Sequence, residues 1–454
     1  GHRVRQAVQH VLGLPPLPPL APTNEALPPA ATAEARTGDE RPSAVQPLDL
    51  VGQRAAAIRA AVLHVLAPDS LPLALAAPAA EALPVATKLD EGTPGAEALP
   101  ARSRRKKASS GPVAASAAKV KAAVAAVLPT PEAEPTEALP RRSRLEELRA
   151  RGQDFALLSG GNDEDDEDIL RRETVALMGY PLLPEDVLED KICRALNIQP
   201  DLAVSVDINL PYNADSYDLI AKVEALQERW QNPNIYSRLP ATPAGLSALE
   251  DLSSRGVKTE VRAIYDVVVY RATLEAYIAG LKRYASQNGN LAEVASIASF
   301  CVNKVDSAVD AIIKDIAGLS NNCGLVGIYL ASALFQYQLK RSAQADWQEL
   351  AAAGAQSQRL MWIGTAVENG SYTPTRYVDY LIAPGTLSAM STHTYRLFQS
   401  QGNSNLSLEH HIPHALKLLE SLSSRGCDLS AVAESLERQY ASARDAALQQ
   451  MLAQ

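Results

Sequence analysis

Residue types able to do chemistry are spread along this chain of 454 residues, and few come in a spacing that makes a site. His410, His411 and His414 lie in EHHIPH. Two of them are four apart, as in a helical metal pair, but Pro413 interrupts a helix between them and no thiol or carboxylate pattern completes the set, so the stretch reads as the start of a helix. Cys193, Cys301, Cys323 and Cys427 show no CxxC spacing. That argues against a zinc site or a disulfide framework and for a reducing compartment. The acidic run Asp163, Glu164, Asp165, Asp166, Glu167, Asp168 has the chemistry of a cation or partner site, but a run of this kind is expected to be a solvated loop or helix start. Asn369 and Asn405 match the glycosylation sequon, which the cysteine usage makes incidental. No metal or cofactor is expected from these patterns.

The elements that would position any such group lie in the last two thirds of the chain. Residues 1–142 are rich in Ala, Pro, Leu and Glu with almost no aromatics, and carry a charge of roughly +3, against an overall −9. An acidic remainder makes generic nucleic-acid binding by the globular part a weak expectation. Two basic clusters stand apart: Arg102, Arg104, Arg105, Lys106 and Lys107, and Arg141, Arg142 and Arg144. They are candidate RNA or acidic-partner contacts, with solvated linker charge as the bland alternative. No run approaches 18 apolar residues, so no membrane span is predicted. The start at Gly1 without Met suggests a processed or partial N-terminus.

Three segments before residue 142 resemble one another: VRQAVQHVL from residue 4, IRAAVLHVL from 58 and VKAAVAAVL from 120. Their apolar residues are Val4, Val8, Val11 and Leu12; Ile58, Val62, Val65 and Leu66; Val120, Val124, Val127 and Leu128. The spacing of three to four predicts short amphipathic helices, too short to be stable alone and so in need of a partner surface. EALP recurs after Pro-rich spacers, which suit semi-rigid connections between such hooks. A leader with accidental similarity is the alternative.

From residue 143 to 454 short apolar strands alternate with amphipathic helices. LAVSVDIN, NIYSRLPA, KTEVRAIYD, VASIASFCV and RLMWIGTAV read as strands, and YVDYLIAP as a sixth. The alternation predicts a parallel sheet, and the length favours a (β/α)8 barrel.

PNIYSRLPATPAGLSALEDLSSRGV, ASIASFCVNKVDSAVD, DWQELAAAGAQSQRLMWIGTAVENGSY and YVDYLIAPGTLSAM together resemble the transaldolase family, Schiff-base sugar-phosphate enzymes on a (β/α)8 barrel. The resemblance implies a lysine on the fourth strand, a glutamate on the third and Asn-Val-Thr on the fifth. At those places stand Arg238, Ser205 (with Asp207 kept two residues on), and Glu260, Val261 and Arg262. Arginine stays protonated and cannot form an imine. Ser299 is retained on the sixth strand. The family's phosphate-binding groups correspond to Ala366 and Glu368 after the seventh strand and Lys304 after the sixth, a degenerate clamp in which a carboxylate would repel phosphate. DFALLSGG offers itself as the second strand and no segment as the first, so the barrel is expected to be incomplete or altered there.

These departures lead to the expectation of a non-catalytic transaldolase-like barrel, a structural subunit of a larger assembly with the N-terminal repeats as tethers and protein partners. An active transaldolase or aldolase of the pentose phosphate pathway using Lys304 or another base is the first alternative, and an RNA- or nucleoprotein-binding accessory protein the second. Lys258, at the beginning of its strand, belongs to the stability face of such a barrel. The Ala/Pro-rich leader and plant-like barrel sequence point to an organelle, the chloroplast before the mitochondrion, with the cytoplasm as the alternative.

Overall fold

The computed structural model describes residues 143–405 and 407–453. The three repeated segments and the basic residues from Arg102 to Arg142 therefore lie outside the described residues. The first described residue, Ser143, forms a capping box: its hydroxyl accepts from the Glu146 N–H, and the Glu146 carboxylate accepts from the Ser143 N–H at 2.9 Å.

The elements run α1 (Arg144–Ala150), β1 (Asp154–Leu158), α2 (Asp163–Arg172), β2 (Leu177–Gly179), α3 (Glu185–Ile198), β3 (Ala203–Asp207), α4 (Ser216–Trp230), β4 (Ile235–Pro240), α5 (Pro243–Ser253) and β5 (Thr259–Ile264). They continue with α6 (Val267–Ser286), β6 (Ser296–Cys301), α7 (Val302–Ile313), α8 (Val326–Ser342), α9 (Ala345–Ala352), β7 (Arg359–Ile363), α10 (Arg376–Tyr380), β8 (Leu387–Ser391), α11 (Thr392–Gln401), α12 (Ile412–Ser424) and α13 (Leu429–Leu452). The strands close into a barrel in sequence order. Each neighbouring pair is parallel, and β1 returns to β8 in a register from Asp154↔Leu387 to Leu158↔Ser391.

The expectation of a barrel incomplete at its first strand is thus corrected. DFALL is β1 rather than a substitute second strand, and β2 is the three-residue LMG. YVDYLIAP is not a strand either. Its first part forms α10, and the strand is LSAMS, beyond the Pro384–Gly385 turn. The acidic run does start a helix, α2, in which Asp166 is buried and accepts hydrogen bonds from Ser159 (2.7 Å) and Thr392 (3.0 Å).

Inside the barrel, Ala156, Leu177, Ile297, Met361, Leu387 and Ala389 form an apolar cluster, joined by Ala203 and Tyr236. Side chains two residues further along a strand share its face. The next layer toward the C-terminal end therefore receives Ser205, Arg238 and Ser299, with Glu260 from β5, so polar and charged residues stand where a packed interior usually continues apolar. Among the described residues no helix is long and apolar enough to cross a membrane.

Candidate functional site

The C-terminal end of β4 is fixed by local signals. The strand stops at Pro240, the Thr242 hydroxyl accepts from the Gly245 N–H at 3.1 Å, and Pro243 takes the first position of α5. This holds Arg238 with its side chain in the barrel, 2% exposed. Its Nε donates to Ser205 Oγ and to Glu260 Oε2, each at 3.0 Å, and its Nη1 donates to the Tyr180 carbonyl and to Asp207 Oδ2 at 3.2 Å.

Glu260 is wholly buried and is the hub of the cluster. Its Oε1 accepts from Arg262 Nε and from Ser299 Oγ, both at 2.7 Å, and its Oε2 accepts from Ser205 as well as Arg238. Burial alone would raise the pKa of this carboxyl. The Arg262 and Arg238 guanidiniums and the two serine hydroxyls outweigh burial and hold it well below the usual carboxylate range. Ser205, Arg238, Glu260, Arg262 and Ser299, brought to one place by the resemblance, are thus brought to one place by the fold. They are bonded to one another rather than left open to a substrate.

Space for Arg238 comes from β2, since a Cβ on Gly179 would lie 2.7 Å from its Nη2. The mouth above the cluster is closed by α13. Arg444 donates to the carbonyls of Ile208 (2.6 Å) and Leu210 (2.5 Å) and lies 3.7 Å from Asp207. Asp445 accepts from the Tyr212 N–H at 2.7 Å, and the Tyr440 ring meets Tyr212 edge-on with centroids 5.7 Å apart. Asp207, Tyr212, Arg238, Arg262, Tyr440 and Arg444 line a remaining cavity of about 10 Å³. That is room for about one water, where small-molecule sites usually offer about 300–1,000 Å³. Nothing in LMGY or in YASAR announces that Gly179 and Tyr180 border Arg238 or that Tyr440 and Arg444 line the cavity above it.

Lys304, the rival amine, is not in the interior. It lies in the first turn of α7, about half exposed, with Nζ 2.8 Å from Glu368 Oε1. Asn303 Nδ2 donates to the Ala366 carbonyl (3.2 Å) and to Glu368 (3.3 Å). Asn303, Lys304, Ala366 and Glu368 thus tie the segment after β7 to α7. Lys258 lies just ahead of β5 at the opposite end, its Nζ 5.9 Å from the Tyr236 ring centroid, and burial lowers its pKa. His411 of EHHIPH packs against Tyr380, with ring centroids 4.9 Å apart. Among the described residues no group of three or more His, Cys, Asp or Glu is arranged to hold a metal ion.

Residues 182–454 match the family model described as Transaldolase/Fructose-6-phosphate aldolase. The match begins beyond β2, at the end of the region where the sequence departs furthest from the resemblance. A transaldolase of Saccharopolyspora erythraea is 32% identical over 242 residues, covering 53% of this chain and 66% of that protein, just under two thirds. A transaldolase of Frankia alni is 30% identical over 257 residues, 56% of this chain and 69% of the relative. For transaldolase 1 of Streptomyces avermitilis the figures are 34% over 206 residues, 45% and 54%.

Proposed function

The chain belongs to the transaldolase/fructose-6-phosphate aldolase family, and from that premise we propose that its barrel is a non-catalytic member, kept as a rigid body within a larger protein assembly. The observation that supports this most is the state of the β4 position. An amine there would have to be neutral, accessible and next to a proton donor. Arg238 is instead a permanent cation, buried, and bonded through Nε and Nη1 to Ser205, Glu260, Asp207 and the Tyr180 carbonyl. The space above it is the size of a water. A sugar phosphate would have to displace both the ion cluster and the Arg444 cover.

In this reading the chemistry has been exchanged for internal cohesion, and partner contacts are supplied by the repeated segments 4–12, 58–66 and 120–128, with the basic residues 102–107 and 141–144 as a further contact for acidic surfaces. Several weak hooks on one chain gain from effective concentration. Removing residues 1–142 should release the barrel from co-purifying proteins, and removing one hook should weaken the association in part. Undiminished association after the full deletion would assign the interface to the barrel. The enzymatic test is transaldolase turnover of fructose 6-phosphate with erythrose 4-phosphate, expected to be absent.

The second reading is an active transaldolase or aldolase. The name carried by the relatives favours it, and Lys304, half exposed beside Glu368, is the amine it would require. Substitution Lys304→Ala separates the two, since only the active reading has turnover to lose.

A further inference from the structure

Asp306 and Asp310 lie one turn apart on α7, away from the mouth cluster, and face the start of α8. That helix has no side-chain cap of its own at Leu325, so its first N–H groups need acceptors from elsewhere. Asp306, wholly buried, accepts the Gly327 N–H at 2.5 Å. Asp310 accepts the Gly324 N–H with both oxygens, at 2.8 and 3.1 Å, and the Tyr372 hydroxyl at 2.7 Å.

Tyr372 and Arg376 belong to the segment that runs from β7 into α10. Gly324 has φ +73°, and a Cβ there would come within 2.7 Å of the Tyr372 ring, so the ring lies directly on the glycine. Arg376 Nε donates to the Gly324 carbonyl at 2.8 Å and its guanidinium stacks 4.6 Å from the Tyr372 ring centroid. Both peptide groups of Gly324 are thereby held by this clasp, and the segment 364–376 is fastened over the 323–327 turn. Its other end is held by Lys304 and Glu368.

The charges are out of balance. Two carboxylates converge on the turn, and Arg376 is the cation beside Asp306; the other titratable groups facing them, Tyr372, Tyr377 and Cys323, are all pushed up by burial and so are neutral near pH 7. We propose that Asp306 and Asp310 form a proton-operated clasp: the pair keeps one proton while the 364–376 segment is fastened, and loss of that proton loosens the segment and the turn beneath it. In support, burial pushes Asp306 up to about 7; the Gly327 N–H opposes this, Asp310 adds to it, and Tyr377 and Arg376 oppose it. The closed clasp therefore binds more protons than the open one. Its tightness is greatest at acid pH and is lost as pH rises through about 7.

Hydrogen exchange on the full chain, corrected for intrinsic rates, tests this at pH 6 and pH 8 in peptides covering 320–330 and 364–376. The opening equilibrium of the wild-type protein should be about tenfold larger at pH 8, the ratio set by a group titrating near 7 when closed and near an ordinary aspartate value when open. Asp306→Asn, neutral throughout, should show the same opening at both pH values. Tyr372→Phe should raise opening at both and keep the tenfold ratio. Should Asp306→Asn fail to fold, Asp310→Asn serves instead, since removing the second carboxylate must lower the midpoint and shrink the ratio. A wild-type protein indifferent to pH, or a ratio unchanged in the aspartate variants, would overturn the proposal.

Discussion

Gly179 and Arg238 occupy one volume between them: an Nη of the arginine lies 2.7 Å from where a Cβ on residue 179 would stand. The long cation at the β4 position is tolerated because β2 ends without a side chain beside it. Arginine at 238 therefore packs through two strands together, and its bonding extends through Ser205 and Glu260 to Ser299.

That relationship is open to a double-mutant cycle. Gly179→Ala should destabilise the barrel by about 1–3 kcal/mol, the usual effect of overpacking a filled interior. In an Arg238→Lys background the same change should cost less, with a coupling of about 1 kcal/mol between the two sites. Chemical denaturation of the four proteins reads both numbers, and additivity would mean that the two residues do not share the space.

Among the described residues Glu260 is the carboxylate bonded to both Arg238, which is buried, and Arg262, which is partly exposed, so Glu260→Gln removes the carboxylate on Arg262 and leaves Arg238 with Asp207 alone. The expected loss is about 3–5 kcal/mol at neutral pH, typical of breaking a buried pair by removing one partner. The sign with pH is fixed by the depressed carboxyl. Its contribution is present above the ordinary glutamate value of 4.5 and is lost as pH falls below that toward its folded value. The wild-type protein should lose stability on acidification through this range, and the Gln variant should lose less over the same interval.

Arg444→Ala removes the cover that α13 places on the mouth. Amides of residues 207–212 should exchange faster while the barrel stays folded, because Arg444 bonds the Ile208 and Leu210 carbonyls from outside the interior layers. Transaldolase turnover should remain absent, since opening the mouth restores neither an amine nor its proton donor.

The parts of the fold legible in the sequence were the strands of five or six residues set between clear helical stretches, β3 through β7, whose length and mostly buried side chains mark them despite the polar residues on their inner faces. β2 is three residues, too short to leave a periodic signal, which shifted DFALL into its place. In YVDYLIAP Tyr377, Val378, Asp379, Leu381, Ile382 and Ala383 are all buried, so the stretch carries no periodicity that would separate a helical turn from a buried strand. β8 hides in LSAMS because small and hydroxyl side chains suffice where it lines the barrel. The cluster around Arg238 was legible as a set of positions, through the resemblance. Its internal bonding was not, because pairing across β3, β4, β5 and β6 is a property of register, and Arg444 reaches the mouth from more than 200 residues away in the chain.

Arg238→Lys alone should not create an enzyme. On the proposed reading Ser205 supplies no acid function, Glu260 would pair with the new ammonium and hold it charged, and Glu368 would repel a phosphate brought to the segment after β7. Turnover in this single variant would show that the remaining departures are tolerated.

Borohydride reduction of the wild-type protein in the presence of fructose 6-phosphate, followed by intact-mass and peptide analysis, addresses the central claim most directly. The account predicts no sugar adduct on any lysine, Lys304 included. A reduced adduct on one lysine, formed only with the ketose phosphate, would contradict it and identify the protein as a working Schiff-base enzyme.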